Sequence, residues 1–277
     1  MMRKPARAAM AAGATGALLV GLALIGIVGT TDRVAAIERN DSAPAPSDPV
    51  RNAVLPEETD VRSGPLVPQV ERIDHTGAPN AVNRRILGVL EGVRTSMRDT
   101  RYVHRARVDP RQGIYHWDCS AMAAWVLSRS APGAHRYVGK TRPQARDYFR
   151  RLSQARPTDG AAPWQRIERL GDARAGDVLA WIRPPWFRSR STGHVGFLAE
   201  PPRLHSTSPQ RVWLIRLIDA TSLPHDDDDR TLGIGGFGVG TLLLLADEAD
   251  TPTAYGWFGL RSPGVIPTDF VVARATR

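Results

Sequence analysis

The sequence predicts an α+β domain in which N-terminal helices pack on an antiparallel β-sheet. Three observations carry this. From Asn80 onward the first apolar residues recur at helical spacing; after Trp164 they give way to short apolar runs; and Gly, Pro and Asp separate those runs. Helices first and strands afterwards is the order expected of the α+β class.

Two segments precede the domain. Arg3, Lys4 and Arg7 form a basic start, and Ala8 to Thr31 carries no charge around the apolar centre Leu18–Ile25. Val34 and Ala36 are small residues at −3 and −1 of a cleavage point, so residues 1–36 read as a secretory signal or, uncleaved, as a membrane anchor. No cysteine follows the run, which excludes a lipoprotein anchor. Both readings place the body outside the cytoplasm, in the periplasm or the extracellular envelope. Residues 37–79 hold Pro44, Pro46, Pro49, Pro56, Pro65, Pro68 and Pro79 and read as a semi-extended tether.

In the domain, 80–277, Val82, Ile86, Val89, Leu90, Val93 and Met97 mark a first helix with Asn80 as its cap. A second begins at Asp118, and a third runs from about Thr141 with Ala145, Tyr148, Phe149 and Leu152 on one side. Strands are expected at Asp177–Ile182, His194–Ala199, Val212–Asp219, Thr241–Ala246, Thr253–Phe258 and Phe270–Ala273. The glycine-rich run Gly233–Gly240 lacks the Lys of a phosphate loop and reads as a flexible hairpin or bulge. The acids Asp226–Asp229 read as a solvated loop, because consecutive carboxylates do not converge as calcium ligands do.

Composition narrows the function. Hydrophobic residues at 42% and charged residues at 23% match globular averages and exclude a chain disordered throughout. A single cysteine among 277 residues excludes internal disulfides and Cys-rich zinc frameworks. The net charge is +9; residues 1–36 hold four basic residues and one acid, which leaves +6 for the rest. With no clustered Lys/Arg run, that charge suits anionic envelope polymers rather than nucleic acid.

The lone thiol sits where chemistry would use it. Asp118 is a good N-cap and puts Cys119 at the first helical position, where free N–H groups and the helix dipole favour a thiolate. A nucleophilic Cys needs a base, and the base an orienting acceptor. Of seven histidines, His194 opens a strand beside the loop Arg188–Gly193, whereas His116 would have to fold back over the helix start and His205 and His225 lie in polar loops. Asp219 ends the apolar run Val212–Ile218, where a carboxylate needs a hydrogen-bond partner. If these two strands are antiparallel neighbours, Asp219 reaches the His194 ring.

Asp118-Cys119-Ser120, Gly176-Asp177-Val178-Leu179 and Gly193-His194-Val195-Gly196, in that order, resemble the NlpC-type cell-wall peptidases over roughly Asn80 to Thr221. The resemblance implies a papain-like fold, with helices on an antiparallel sheet or small half-barrel. It implies Cys119 as nucleophile, His194 as base and Asp219 as orienter. Tyr102 looks like the family's site-lining Tyr, although Tyr115 is closer to the thiol in sequence, and Asp118 and Ser120 would flank the substrate. The implied reaction needs no cofactor and no metal and cleaves an amide bond of peptidoglycan stem peptides or muropeptides, typically that between D-glutamate and diaminopimelate. This sequence departs from the family at Ala121, where Gly is usual, and at Asp219, where His is most common. Two other expectations stand beside the peptidase: a non-catalytic envelope-binding module, and a Cys/His acyl transferase. The tail from Asp226 onward and the oligomeric state are left unassigned.

Overall fold

The computed structural model describes residues 72–158, 162–187, 189–207, 210–230, 235–256 and 265–277. The chain divides into two units, 1–60 and 61–277, and every described residue belongs to the second. The expected export segment and most of the expected tether therefore lie outside the described residues. Among those described, no helix is long and apolar enough to cross a membrane.

Helix α1, Ala81–Ser96, starts where its cap predicts: the Asn80 side chain accepts from the Asn83 N–H at 2.8 Å. It buries Val82, Ile86, Leu87, Leu90 and Val93. Packing reaches further back than the tether boundary suggests, since Ile73 is buried and its N–H donates to Glu91 at 3.2 Å. Between α1 and the next helix lies a small sheet absent from the sequence reading. Strands β1 (Asp99–Tyr102), β2 (Arg107–Asp109) and β3 (Ile114–Trp117) pair in the order β1-β3-β2, with β1 parallel to β3.

Helix α2 is Cys119–Ser130 and α3 is Pro132–Val138, the latter also unforeseen although its proline stands at a favoured first position. Helix α4, Ala145–Leu152, begins after Thr141 because Asp147 reaches back to the Gln144 N–H at 2.9 Å and fixes the start there.

The remaining strands are β4 (Trp164–Ile167), β5 (Val178–Ile182), β6 (Gly193–Leu198), β7 (Arg203–Ser206), β8 (Arg211–Thr221), β9 (Gly236–Ala246), β10 (Pro252–Gly256), β11 (Val265–Pro267) and β12 (Phe270–Ala275). They form one antiparallel sheet in the order β11-β10-β9-β8-β6-β5-β12-β4, with β7 also on β8. The α+β class is as the sequence predicts. The unassigned tail supplies β9 to β12, and β12 enters the interior of the sheet between β5 and β4.

Gly236–Gly240 belongs to β9 and is paired along its length with β8, which corrects the flexible-hairpin expectation for the described part of that run. The correction has a steric cause. A Cβ on Gly238 would lie 2.5 Å from Arg230 Cγ, and one on Gly240 2.6 Å from His225 Cβ. Alternate glycines thus open one face of β9 so that the segment 225–230 can pack down on it.

Two apolar layers form. One holds the helices, with Leu87, Leu90, Met122, Leu127 and Tyr148 against Val195, Phe197 and Ile218. The other gathers Trp181, Leu198, Ile215, Leu217, Leu244 and Tyr255. Trp181 on β5 and Tyr255 on β10 are four strand steps apart, about 19 Å in a flat sheet at ~4.8 Å per step. Their ring centroids are 5.0 Å apart, so the sheet curls until β5 and β10 meet over the second layer.

Candidate active site

Cys119 opens α2 and is 4% exposed. Asp118 caps the helix by accepting from the Ala121 N–H at 2.8 Å, and the Ser120 hydroxyl donates to the same carboxylate at 2.8 Å. Both side chains are committed to the helix start, and neither lines the cavity described below. These hydrogen bonds fix the backbone at Cys119, which does not line that cavity either.

His194 is the second residue of β6, and the motif around it has a physical reading. Gly193 has φ +141°, and a Cβ there would lie 2.0 Å from the Trp181 carbonyl oxygen. Strand β6 pairs antiparallel with β8, Phe197 opposite Ile218. A Cβ on Gly196 would lie 3.0 Å from Asp219 Cβ. The glycine lets β8 close in, and His194, two residues along β6 on the same face, becomes the diagonal neighbour of Asp219. Its Nε2 donates to Asp219 Oδ2, and the ring also interacts with the Cys119 side chain. The helix tip, β6 and β8 thus bring Cys119, His194 and Asp219 into one connected chain.

His116, the nearest histidine in sequence, is engaged elsewhere: its Nε2 lies 2.7 Å from Asp99 across the small sheet. Tyr102 lines the cavity, whereas Tyr115 is buried with its hydroxyl 2.7 Å from Ser96 Oγ. Of the two upstream tyrosines, the site therefore receives Tyr102.

Two residues join the site that sequence reasoning left out. His225 Nε2 lies 2.9 Å from Asp219 Oδ2. Arg230 donates from Nη2 to Asp219 Oδ1 and, at 2.9 Å, to the Asp219 carbonyl. Asp228, one of the acids read as solvated, accepts from the His225 N–H at 2.7 Å and from Arg230 Nη1 at 2.5 Å. The acidic run is in part an internal clamp. Its sequence signal was the alternation Gly236, Gly238, Gly240, which marks a strand face kept clear for another segment.

Charge follows from this arrangement. Burial alone would raise Asp219, but His225, Arg230 and His194 together hold it well below the usual carboxylate range. Burial alone would lower His194; negative charge at Cys119 and Asp219, and hydrogen bonds to both, outweigh it and push the ring up to about 10. His225, mainly through burial, is lowered and stays neutral near pH 7. As a carboxylate only accepts, the Nε2 of each ring carries the proton on Asp219. Tyr102 is raised by burial and by the charges of Cys119, Asp118 and Asp219.

His194, Asp219 and His225 are also the group among the described residues whose ligand atoms, within 4.8 Å of one another, could converge on a metal ion. Arg230 already neutralises that carboxylate, and both Nε2 atoms donate protons to it, so the donor set as arranged fits a hydrogen-bonded triad better than an ion. The site opens on a cavity of about 150 Å³ lined by Tyr102, Trp181, Arg183, His194, Thr221 and Tyr255, among others. That is half the ~300 Å³ at the small end of ligand pockets, room for one residue of an extended substrate.

Compared with models of protein families, with curated proteins and with solved structures, the chain matched none.

Proposed function

We propose that this chain is an exported cysteine hydrolase, papain-like in its site architecture, that cleaves an amide bond of peptidoglycan stem peptides. The observation that carries the proposal is the continuous chain Cys119–His194–Asp219, a helix-borne thiol joined to a strand-borne imidazole and a buried carboxylate.

An imidazolium beside the sulfur is the counter-ion that a thiolate needs. In the reaction, the Cys119 thiolate, whose proton His194 has taken, forms a C–S bond to the substrate carbonyl, whose π electrons move to oxygen. Collapse of that oxyanion breaks the C–N bond, and His194 protonates the departing amine. Water, losing a proton to His194, then attacks the thioester; collapse breaks the C–S bond, the acid leaves, and the thiolate–imidazolium pair is restored. Backbone N–H groups at the start of α2, with Tyr102 as a neighbouring donor, would hold the oxyanion. Asp219 keeps the ring oriented and charged, and His225 and Arg230 keep Asp219 ionised. The choice of peptidoglycan and of the envelope as location rests on the motif resemblance and the N-terminal signal.

The test gives muropeptides to the purified full chain and to its Cys119→Ala form, with products identified by mass. The wild type should release peptide and the variant lose at least ~10³-fold in rate, as expected when a nucleophile is removed. Equal release by both would end the thiol mechanism. Incorporation of an added amine in place of water would mark an acyl transferase.

A further inference from the structure

The cavity beside His194 holds a cationic group whose charge the fold leaves unbalanced. Arg183, just past the end of β5, lines that cavity. Its Nε donates to the Ser191 carbonyl at 2.9 Å and its Nη1 to the carbonyls of Phe187, at 2.5 Å, and Pro184, at 3.3 Å. Among the described residues none of its partners is a carboxylate, and its Nη2 donates to none of them. Every other arginine placed close to the site by name above behaves differently: Arg230 is paired with Asp219 and Asp228.

The segment around it has the same bias. Residues 183–192 read Arg-Pro-Pro-Trp-Phe-Arg-Ser-Arg-Ser-Thr, three arginines with no acid. The rest of the wall combines the apolar and aromatic Trp181, Phe187, Tyr255 and Ile266 with polar residues such as Ser191 and Thr221. A guanidinium held by three carbonyl contacts beside aromatic side chains suits a carboxylate, because partly apolar surroundings strengthen a charge-assisted bond.

We infer that Arg183 binds a free carboxylate of the substrate next to the scissile amide, and so selects peptides that carry one there over peptides in which it is amidated. The inference rests on the hydrolase reading and narrows it to an anionic substrate class. A D-glutamyl residue joined through its γ-carboxyl has such a group, since its α-carboxyl stays free.

The experiment uses two peptides, alanyl-γ-D-glutamyl-diaminopimelate with the α-carboxylate free and the same peptide with it amidated. Binding is measured by calorimetry on the full chain carrying Cys119→Ala, with and without Arg183→Met; cleavage is measured separately on the wild type. The free acid should bind more tightly than the amide, and Arg183→Met should weaken the acid by about 10- to 100-fold while moving the amide less than about 3-fold, the range for a hydrogen-bonded charge. If Arg183 only staples its loop, the variant weakens both peptides alike, and the inference is overturned. It is equally overturned if Cys119→Ala binds neither peptide or fails to distinguish them. Selective binding without cleavage by the wild type would instead overturn the hydrolase reading and leave the carboxylate site standing.

Discussion

Two buried carboxylates, Asp177 and Asp219, make an instructive pair, for both are shielded from solvent and both face an arginine. Asp177 precedes β5 and receives Asn83 Nδ2 at 2.9 Å, the Arg174 N–H at 2.8 Å and both Nε and Nη2 of Arg274. It ties α1, the β5 turn and β12 together. Burial raises its pKa despite these donors. Asp219 is surrounded by Arg230 and two imidazoles and is depressed. Burial acts the same way on both; the number of cationic neighbours decides the sign. Only at Asp219 is the surplus of positive charge passed on through a ring, which lines a cavity, to a buried thiol.

That contrast is broken most sharply by neutralising each carboxylate in turn. Asp219→Asn should lower kcat/KM on muropeptides by on the order of 10⁴-fold, the scale seen when the orienting acid of a triad loses its charge. Asp177→Asn should leave kcat within about 2-fold. Its cost falls on stability, because Arg274 loses its charged partner: about 3–5 kcal/mol for a broken buried pair, or roughly 6–20 °C in Tm for a domain of this size. A fall in kcat from the Asp177 substitution comparable with that at Asp219 would erase the distinction.

The next effect is smaller and concerns approach rather than charge. In Gly196→Ala the new Cβ would stand 2.9 Å from Leu217 Cγ and 3.0 Å from Asp219 Cβ, so β8 must yield by several tenths of an ångström. Misplacement on that scale between catalytic groups costs up to about 10²-fold. The expected result is a loss in kcat of about 10- to 100-fold, with thermal melting lowered only modestly. An unchanged kcat would show that the Asp219–His194 contact tolerates slack.

These differences also explain what could be read without coordinates. Cys119, His194 and Asp219 were legible because each stands at the end of an element whose local signal is strong: a capped helix start, a strand opening after a glycine, an acid closing an apolar run. Tyr102 came only through the motif resemblance, being carried by a four-residue strand with little pattern of its own. His225 and Arg230 were not legible. They sit in a segment without secondary structure, and their place beside Asp219 depends on alternate glycines of a strand that comes later in the chain. The small sheet β1–β3 was missed for a related reason, as strands of three or four residues with arginine and aspartate carry no clear period. Local order is written locally, but contacts made by packing one segment onto another are written only in pairs of distant residues.

The smallest expected effect is the pH dependence of stability around Asp219. His194 is raised from 6.5 to about 10 in the folded chain. A group raised on folding stabilises fully below its unfolded value and loses that contribution as pH rises through the folded one. Asp219 works in the other direction: depressed on folding, it contributes above the usual carboxylate value of 3.8 and loses this only in strong acid. The wild type should therefore hold its Tm through neutrality and lose it progressively from pH 7 toward 10. In Cys119→Ala the sulfur no longer supplies charge to the ring, so His194 is held up by Asp219 alone; the alkaline decline should start at the same pH, set by the unfolded chain, but be smaller and end at lower pH. Parallel melting curves for the two proteins across pH 6–11 measure this directly. Superimposable alkaline limbs would mean that the imidazole takes its charge from Asp219 without help from the thiol, and the site would then be two coupled pairs rather than one triad.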